Sequence, residues 1–313
     1  MKVSPIPIEK IIEFLGVEVR AVYGNYKNVI IDNLSAADCV NEFSLDWINP
    51  AKTNKQSMVE SSRAKTILVD ESVFYSEILK YENKILIVVI NPKVSLAKIG
   101  NKFFIKKCIP YIHETAIIDK YAKIGRNVSI GAYAVIGKCE IGDNTIIDSN
   151  VKIYDDVSIG NSCVIKSGAV LGGAGFGFER DENNNLFRFP QIGKLIIGNH
   201  VEIGSNTCLD RGSLSDTKIG NYTKIDNFAQ IAHNVCIGKN VVIAGFVGIS
   251  GSCIIENNVW ISPKSILNPW IHIGENSMIG SGSVVIKNIP PNELWSGNPA
   301  KKISTIDVYN QLK

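Results

Sequence analysis

Residues 219–237 read IGNYTKIDNFAQIAHNVCI, and every sixth of them is isoleucine. The same spacing of aliphatic residues continues without exception to Val285. A period of six matches neither the 3.6-residue repeat of an α-helix nor the two-residue alternation of a β-strand. It is typical of a hexapeptide β-helix, in which three short strands form one triangular coil and the aliphatic side chains point to its axis. The segment therefore predicts a β-helix with eighteen residues in each coil.

The hexad register also extends towards the N-terminus. It starts at Ile112, slips by one residue before Ile141, and breaks at the segment GGAGFGF (residues 172–178). In repeat proteins such insertions commonly lie on the binding face. We predict a left-handed parallel β-helix over residues 109–289, with an insertion loop at 172–192. Because solenoids bury their flat apolar faces poorly by themselves, we expect a three-sided prism of this kind to form a homotrimer.

The chain before the repeat has a different pattern. An amphipathic helix is predicted to start near Ser4 and to end at Gly16. Apolar runs such as KILIVVI (residues 84–90) are typical of buried strands. Strands that alternate with helices predict a small α+β domain over residues 1–108, which we interpret as the part that binds a nucleotide sugar.

Two prolines, at positions 290 and 291, end the repeat because they remove the N–H donors that a strand needs. Residues 290–313 are predicted to form a C-terminal tail. Within it, residues 292–303 read as a loop, and residues 307–313 as a short tail or helix.

Composition places the chain among ordinary soluble proteins. Its 313 residues are 45% apolar and 20% charged, and the net charge of +3 is too small to indicate a nucleic-acid-binding protein. The seven cysteines are widely spaced and form no CxxC pair, which favours reduced thiols. No leader-like segment precedes the first helix, and no apolar run approaches the roughly 20 residues of a membrane span. We therefore predict a cytoplasmic protein.

Five motifs occur in a fixed order along the repeat and its insertion. They are GFGF (175–178), PQIG (190–193), VEIG (201–204), TCLDRG (207–212) and QIAHN (230–234). In this order they resemble the UDP-3-O-acylglucosamine N-acyltransferases, the lipid A enzymes of the hexapeptide acyltransferase superfamily. The resemblance covers roughly residues 5 to 285.

The resemblance implies transfer of an acyl group from a thioester to the amine of a nucleotide-linked sugar. His233 matches the general base of the family, and an imidazole with a near-neutral pKa suits that task. One coil later Gly251 stacks on His233, about 4.8 Å along the axis, and the family gives a glycine at this place the role of oxyanion donor. Asp226 and Asn227 match positions that orient the histidine or the sugar. The predicted substrate contacts are Asn49, Lys52, Gln230, Asn234, Phe176 and Phe178.

Simpler interpretations of these residues remain open. His233 could be a corner histidine without a chemical role. Asp210 and Arg211 are either an ion pair that links coils or a group that binds ligand. The γ-class carbonic anhydrases share the prism but bind zinc through three histidines, and the four histidines here are not clustered, so no metal site is predicted.

Three features depart from the family pattern. Trp270 stands where the family has a second histidine, and Lys52 where a tyrosine contacts uracil. The C-terminal segment SGNPAKKI (residues 296–303) is similar to the end of the coenzyme A-dependent hexapeptide acetyltransferases. That similarity implies a coenzyme A site, for which the predicted residues are Trp270, Gly282, Lys301 and Lys302.

From these departures we predict an N-acyltransferase that moves an acetyl or another short acyl group from coenzyme A to a nucleotide-linked amino sugar, for surface polysaccharide synthesis. The first alternative is the lipid A enzyme itself, UDP-3-O-(3-hydroxyacyl)glucosamine N-acyltransferase, with acyl carrier protein as the donor. The second alternative is a β-helix scaffold without catalytic activity.

Overall fold

The computed structural model describes residues 5–36, 38–106 and 109–306. The chain divides into two compact units, Met1–Lys107 and Cys108–Lys313. The short tail or helix predicted for residues 307–313 lies outside the described residues. None of the helices in the described ranges is long and apolar enough to cross a membrane.

The first unit is a four-stranded sheet with short helices. Its strands lie in the order β2 (Val19–Tyr23), β6 (Ile85–Val89), β5 (Thr66–Val69) and β4 (Leu45–Trp47). Strand β2 is antiparallel to β6, and the other neighbours are parallel. Apolar side chains from both faces of β5 and β6 are buried in two clusters. The elements are β1 (Ile6–Pro7), α1 (Ile8–Leu15), a 3-10 turn (Gly16–Glu18), β2 (Val19–Tyr23), β3 (Ile30–Ile31), β4 (Leu45–Trp47), α2 (Lys55–Ser61), β5 (Thr66–Val69), α3 (Glu77–Tyr81), β6 (Ile85–Val89), α4 (Pro92–Ile99) and a π turn (Gly100–Phe104).

Two short helices of this unit were not predicted. The sequence of α2 buries only Val59, so its apolar pattern is too sparse to indicate a helix. The other, α3, has five residues and begins after Ser76, whose hydroxyl accepts a hydrogen bond from the N–H of Leu79. Helices this short depend on tertiary packing more than on their own sequence pattern.

The second unit is a left-handed parallel β-helix with three flat faces, which confirms the predicted fold class. Face 1 contains Ile117–Ile118, Val135–Ile136, Lys152–Ile153, Val170–Gly173, Cys208–Asp210, Gln230–Ile231, Gly248–Ile249, Ile266–Leu267 and Val284–Val285. Face 2 contains Lys123–Ile124, Glu140–Ile141, Val157–Ile159, Leu195–Ile197, Thr217–Ile219, Cys236–Ile237, Ile254–Ile255 and His272–Ile273. Face 3 contains Ser129–Ile130, Ile146–Ile147, Val164–Ile165, Glu202–Ile203, Lys224–Ile225, Val242–Ile243, Trp260–Ile261, Met278–Ile279, Glu293–Ser296 and Lys301–Thr305.

Stacking of equivalent residues holds the prism together. In the regular part, each strand residue pairs with the residue eighteen positions later, as Gln230 does with Gly248. The second residue of each strand is an aliphatic side chain that points inward and is buried, which explains the six-residue period. Between faces 2 and 3 the corner carries stacked asparagines, and amide hydrogen bonds of 3.3, 3.0 and 3.0 Å join Asn240, Asn258, Asn276 and Asn292 in that order. We call this the asparagine corner.

The register is interrupted where the insertion leaves the prism. Strands Phe178–Arg180 and Leu186–Arg188 pair antiparallel, and we call this pair the insertion hairpin. Its turn is held by the Oδ1 of Asp181, which accepts hydrogen bonds from the N–H groups of Asn183 and Asn185. The chain rejoins face 2 at Leu195–Ile197.

The loop predicted for residues 292–303 is wrong. Glu293–Ser296 continues face 3 and pairs antiparallel with Lys301–Thr305, so the segment is a hairpin that covers the end of the prism. Glu293 stabilises it by accepting hydrogen bonds from Lys302 at 2.5 Å and from the indole of Trp295 at 2.7 Å. The prolines end the hexad pattern, but an antiparallel strand pair needs no hexads.

Candidate active site

His233 lies on the corner between faces 1 and 2, directly after the strand Gln230–Ile231. Its ring is held between two glycines. A Cβ on Gly251 would lie 2.8 Å from Cε1 and 2.9 Å from Nε2 of the imidazole, and a Cβ on Gly175 would lie 2.9 Å from Cβ and 3.0 Å from Cδ2 of His233. Because real Cβ atoms do not approach so closely, a side chain at either position would require His233 to move. The insertion and the next coil thus fix the ring from opposite sides.

Asn234 determines which nitrogen of the imidazole is free. The Nδ1 of His233 lies 2.8 Å from the Oδ1 of Asn234. The orientation of the Asn234 amide is set by its Nδ2, which donates to the carbonyl of Ser215 at 3.0 Å and to its hydroxyl at 2.6 Å. Since Oδ1 can only accept, Nδ1 carries the proton in the neutral imidazole, and the lone pair is then on Nε2. This is the tautomer that a general base requires.

The side chain of Asn234 is fully engaged within the chain. Besides His233, its Oδ1 accepts hydrogen bonds from the N–H of Ser213 at 3.2 Å and from the hydroxyl of Ser213 at 2.6 Å. Its own N–H donates to the hydroxyl of Thr217 at 2.9 Å. A substrate contact for Asn234 stays a prediction, and the observed contacts give it a positioning role instead.

Two cavities meet at His233. One has a volume of about 780 Å³; its lining is mostly apolar but includes Asp210, Gln230 and Arg188, and we call it the polar cavity after these three residues. The other has a volume of about 950 Å³ and is mostly apolar. Four residues line both cavities: Phe176, His233, Ser252 and Trp270. The imidazole is therefore accessible from both cavities.

A half-buried carboxylate lies in the polar cavity. The Oδ2 of Asp210 accepts a hydrogen bond from the Nε2 of Gln230 at 3.0 Å. Burial raises the pKa of Asp210 to about 6, although the Gln230 hydrogen bond and the nearby His233 act in the opposite direction. Arg211 does not pair with Asp210; it binds Asp156 at 3.1 Å and the carbonyl of Gly193 at 2.8 Å. Arg211 is therefore the residue that links coils, and Asp210 is left for the cavity.

The apolar cavity lies between the insertion hairpin and the prism. Its apolar lining includes Phe178, Leu186, Phe189, Leu214 and Ile254. The Oε1 of Gln191 is buried there without a hydrogen-bond partner among the described residues. Sequence reasoning singled out Phe178 but missed Gln191 and Gly175, although both belong to motifs that it quoted.

The structure brings several of the predicted site residues together. His233, Gly251, Gln230, Phe176 and Trp270 line the polar cavity, and Phe178 and Asn234 line the apolar cavity.

Asp226 and Asn227 do not line either cavity of this chain, so the structure does not bring them together with His233, and their role towards the histidine or the sugar stays a prediction. They lie on the corner between faces 3 and 1, because the six residues of one hexad carry the chain along a whole face to the next corner. There the Oδ1 of Asn227 accepts a hydrogen bond from the N–H of Ser205 at 2.7 Å, and thus joins two coils. The orienting residue for His233 is Asn234.

The predicted coenzyme A residues are not assembled into one site. Trp270 is beside His233, whereas Gly282, Lys301 and Lys302 line neither cavity. Lys302 forms an ion pair with Glu293 at 2.5 Å. Its charge therefore stabilises the terminal hairpin.

Asn49 and Lys52 belong to the first unit, where they form a turn. The Oδ1 of Asn49 accepts a hydrogen bond from the N–H of Ala51 at 3.0 Å, and its carbonyl accepts one from the N–H of Lys52 at 3.0 Å. Their contact with a nucleotide stays a prediction. In the part of the chain that the structure describes, no group of three His, Cys, Asp or Glu residues could hold a metal ion.

Comparison with known proteins identifies a family and relatives that this chain resembles. The family model described as "Bacterial transferase hexapeptide (six repeats)" matches residues 138–173, 216–251 and 252–287. UDP-3-O-acylglucosamine N-acyltransferase 1 of Francisella tularensis is 39% identical over 219 residues, which are 62% of this chain and 61% of that protein. The enzyme of the same name from Pseudomonas syringae is 52% identical over 155 residues, 43% of this chain and 44% of the relative. The chain thus spans about 61% of the length of the Francisella relative.

Solved structures show the same fold. UDP-N-acetylglucosamine O-acyltransferase (LpxA) from Moraxella catarrhalis has a TM-score of 0.58 and 31% sequence identity, over 64% of this chain and 76% of that one. LpxA from Acinetobacter baumannii has a TM-score of 0.57 and 31% identity, over 62% and 74% of the two chains.

These findings correct the prediction of an acetyl-coenzyme A-dependent sugar acetyltransferase, which is wrong. The curated relatives carry the name of the first alternative. The prediction came from the C-terminal residues, and these form the terminal hairpin away from both cavities. The chain belongs to the hexapeptide-repeat acyltransferase superfamily, and within it is similar to the UDP-3-O-acylglucosamine N-acyltransferases.

Proposed function

We propose that this protein transfers an acyl group from a thioester to the amine of a UDP-linked 3-O-acylglucosamine. The observation that carries the proposal is the position of His233, which lines both the cavity that contains Asp210 and Gln230 and the apolar cavity, and whose Nδ1 is engaged by Asn234. A sugar amine fits the polar side and an acyl chain the apolar side. The identity of the sugar nucleotide rests on the names of the relatives.

His233 acts as general base in the proposed reaction. The amine nitrogen attacks the thioester carbonyl, so that a C–N bond forms and the carbonyl electron pair moves to oxygen. Nε2 takes a proton from the nitrogen. The intermediate then collapses, the C–S bond breaks, and the imidazolium returns its proton to the sulfur of the leaving thiol.

Gly251 is the proposed oxyanion donor. Its N–H makes no hydrogen bond to the described residues, whereas the neighbouring N–H of Ser252 donates to the carbonyl of His233 at 3.0 Å. An N–H fixed beside the base stabilises the negative charge that develops on the carbonyl oxygen.

The proposed donor is an acyl group carried on acyl carrier protein, the donor of the first alternative. The apolar cavity supports a long acyl chain, because burial of each CH₂ group contributes about 0.8 kcal/mol. We also propose a homotrimer, which light scattering of the purified protein tests directly.

A donor and acceptor screen tests this function. The purified protein is incubated with hydroxyacyl carrier protein and UDP-3-O-acylglucosamine, and amide formation is followed by mass spectrometry. His233→Ala is expected to lower kcat by about 10²–10⁴-fold. The matched control is His272→Ala, because His272 pairs with Glu256 at 2.8 Å on face 2 and lines neither cavity.

Each result has a defined meaning. Equal rates for the two alanine variants would remove His233 from the role of base. Absence of turnover with every thioester and acceptor would favour the scaffold without catalytic activity.

A further inference from the structure

Asp210 is the ionisable group in the polar cavity for which the mechanism above has no use. It ends the strand Cys208–Asp210 on face 1, next to the strand that carries Gln230. Gln230 binds one of its carboxylate oxygens, Oδ2, at 3.0 Å. The other oxygen, Oδ1, receives no hydrogen bond from the residues that the structure describes. A half-satisfied carboxylate therefore lines the same cavity as His233.

The proton balance of the reaction requires a second acceptor. A sugar amine at neutral pH is largely an ammonium with three hydrogens on nitrogen, and the amide product keeps one. Two protons must therefore leave the nitrogen. His233 accounts for only one of them, since it passes that proton to the departing thiol. The other proton has to leave before the nitrogen lone pair can attack.

We propose that Asp210 is the ammonium site of the acceptor: it binds the protonated amine in the polar cavity and takes its first proton before the attack. This inference rests on the proposed function, and it identifies the charged amine as the group that the cavity selects. In this step an N–H bond of the ammonium breaks, an O–H bond forms on Asp210, and the neutral amine is left beside Nε2 of His233.

The surroundings of Asp210 suit this role. Burial raises the pKa of Asp210 to about 6, which makes its carboxylate a better proton acceptor than an ordinary one. Arg188 lines the same cavity, but its guanidinium donates to the carbonyl of Gly175 at 3.2 Å and lies 4.6 Å from the centre of the Phe178 ring. Arg211, the next residue in the chain, binds Asp156. No cation of the described residues forms an ion pair with Asp210 in this cavity.

The competing explanation is that Asp210 only anchors Gln230. The two explanations differ in their effect on ligand charge. A carboxylate that binds an ammonium discriminates between UDP-glucosamine and UDP-glucose, which differ at one position of the sugar. An anchor for Gln230 affects both compounds alike.

Isothermal titration calorimetry of the full chain at pH 6.5 tests the inference. We expect the wild type to bind UDP-glucosamine about ten- to a hundredfold more tightly than UDP-glucose, as is usual for a hydrogen bond between charged groups. Asp210→Asn should remove this preference and leave the affinity for UDP-glucose unchanged. The matched control, Asp156→Asn, removes a neighbouring carboxylate outside the polar cavity and should keep the preference.

Three results would overturn the inference. They are a preference that persists in Asp210→Asn, an equal loss of affinity for both compounds, and a failure of the wild type to bind either compound. The measurement needs no turnover, so it is independent of the donor screen. A protein that binds the ammonium selectively but transfers no acyl group would refute the proposed function and leave the ammonium site intact.

A kinetic measurement gives a second readout. In Asp210→Asn the loss of kcat/KM should be largest near pH 6.5 and should shrink as the amine deprotonates in solution. The ionisable side chains that line the cavity with Asp210 are His233 and Arg188. Both side chains are present in the wild type and in the variant, so the ratio of the two profiles isolates Asp210. A ratio that does not change with pH would contradict the role as proton acceptor.

Discussion

Two corners of the same prism carry a histidine, and the two residues have different surroundings. His200 lies on the asparagine corner in a left-handed conformation and stacks on Tyr222, with ring centres 4.6 Å apart. After Tyr222, the later coils have asparagines at that place, and each is bonded to the next from Asn240 to Asn292. On the other corner His233 is held by two glycines and by Asn234. The left-handed position of Asn234 is occupied by Ser252 and Trp270 in the next two coils. Repetition serves stability on one corner, and its absence marks the site on the other.

Adding one methyl group beside His233 tests whether its ring needs the space that the glycine leaves. Gly251→Ala places a Cβ 2.8 Å from the imidazole of His233, so the ring must move. Because a displacement of about 1 Å can cost roughly 10²-fold in rate, we expect a loss of that size in kcat with a folded protein. The control is Gly173→Ala, whose Cβ would lie 3.8 Å from Tyr154, an ordinary contact. Full activity in Gly251→Ala would show that the ring needs no such space.

Two asparagines at equivalent left-handed positions sharpen the comparison. Asn234 has φ of 61° and Asn258 has φ of 59°, so glycine fits the backbone at both. Asn234→Gly removes the acceptor that fixes the tautomer of His233, and kcat should fall by about tenfold or more. Asn258→Gly removes amide hydrogen bonds on the asparagine corner, and should lower the unfolding free energy by about 1 kcal/mol without changing kcat. Similar kinetic effects of the two changes would mean that corner asparagines act only through stability.

The smallest expected effect concerns the stability cost of the half-buried Asp210 carboxylate. The pKa of Asp210 is raised to about 6 in the fold, above a value of about 3.9 in the unfolded chain. The folded state therefore binds the proton more tightly, and stability contributed by this group is complete below about pH 4 and is lost as the pH rises through 6. At pH 8, Asp210→Asn should have a melting temperature roughly 1–3 °C above that of the wild type. The difference between the two proteins at pH 4 is the reference. A lower melting temperature at pH 8 would contradict this.

The sequence was a good guide to the regular part of the prism. A strict period of six predicts inward aliphatics, and three hexads place Gly251 next to His233, as the pairing of Gln230 with Gly248 requires. The same arithmetic fails where the insertion changes the offset between coils. Val170 pairs with Cys208 and Cys208 with Gln230, offsets of 38 and 22 residues. Asp210 and Gly175 lie in this irregular part, so their proximity to His233 could not be counted from the sequence.

Two other inferences from the sequence were misleading, one from closeness in sequence and one from resemblance. Asp226 is seven residues from His233, yet each hexad spans one face, so the two lie on different corners. The C-terminal residues resembled a coenzyme A-binding tail, but the hairpin they form depends on pairing between Glu293–Ser296 and Lys301–Thr305. Antiparallel pairing of this kind has no hexad pattern, and a short polar segment gives little other signal.

Gly251 and Gly175 form a glycine clamp around His233, and Gly175 belongs to the least regular part of the fold. One side of the clamp is a stacked coil, whose hydrogen bonds continue along the whole prism. The other side, Gly175, precedes the insertion hairpin, which has two three-residue strands and one partner each. Local opening is easiest where such contacts are few. The proposed base should therefore lose its geometry in a partial unfolding event that leaves the solenoid intact. Activity should then disappear on heating several degrees before the far-ultraviolet circular dichroism of the β-helix changes.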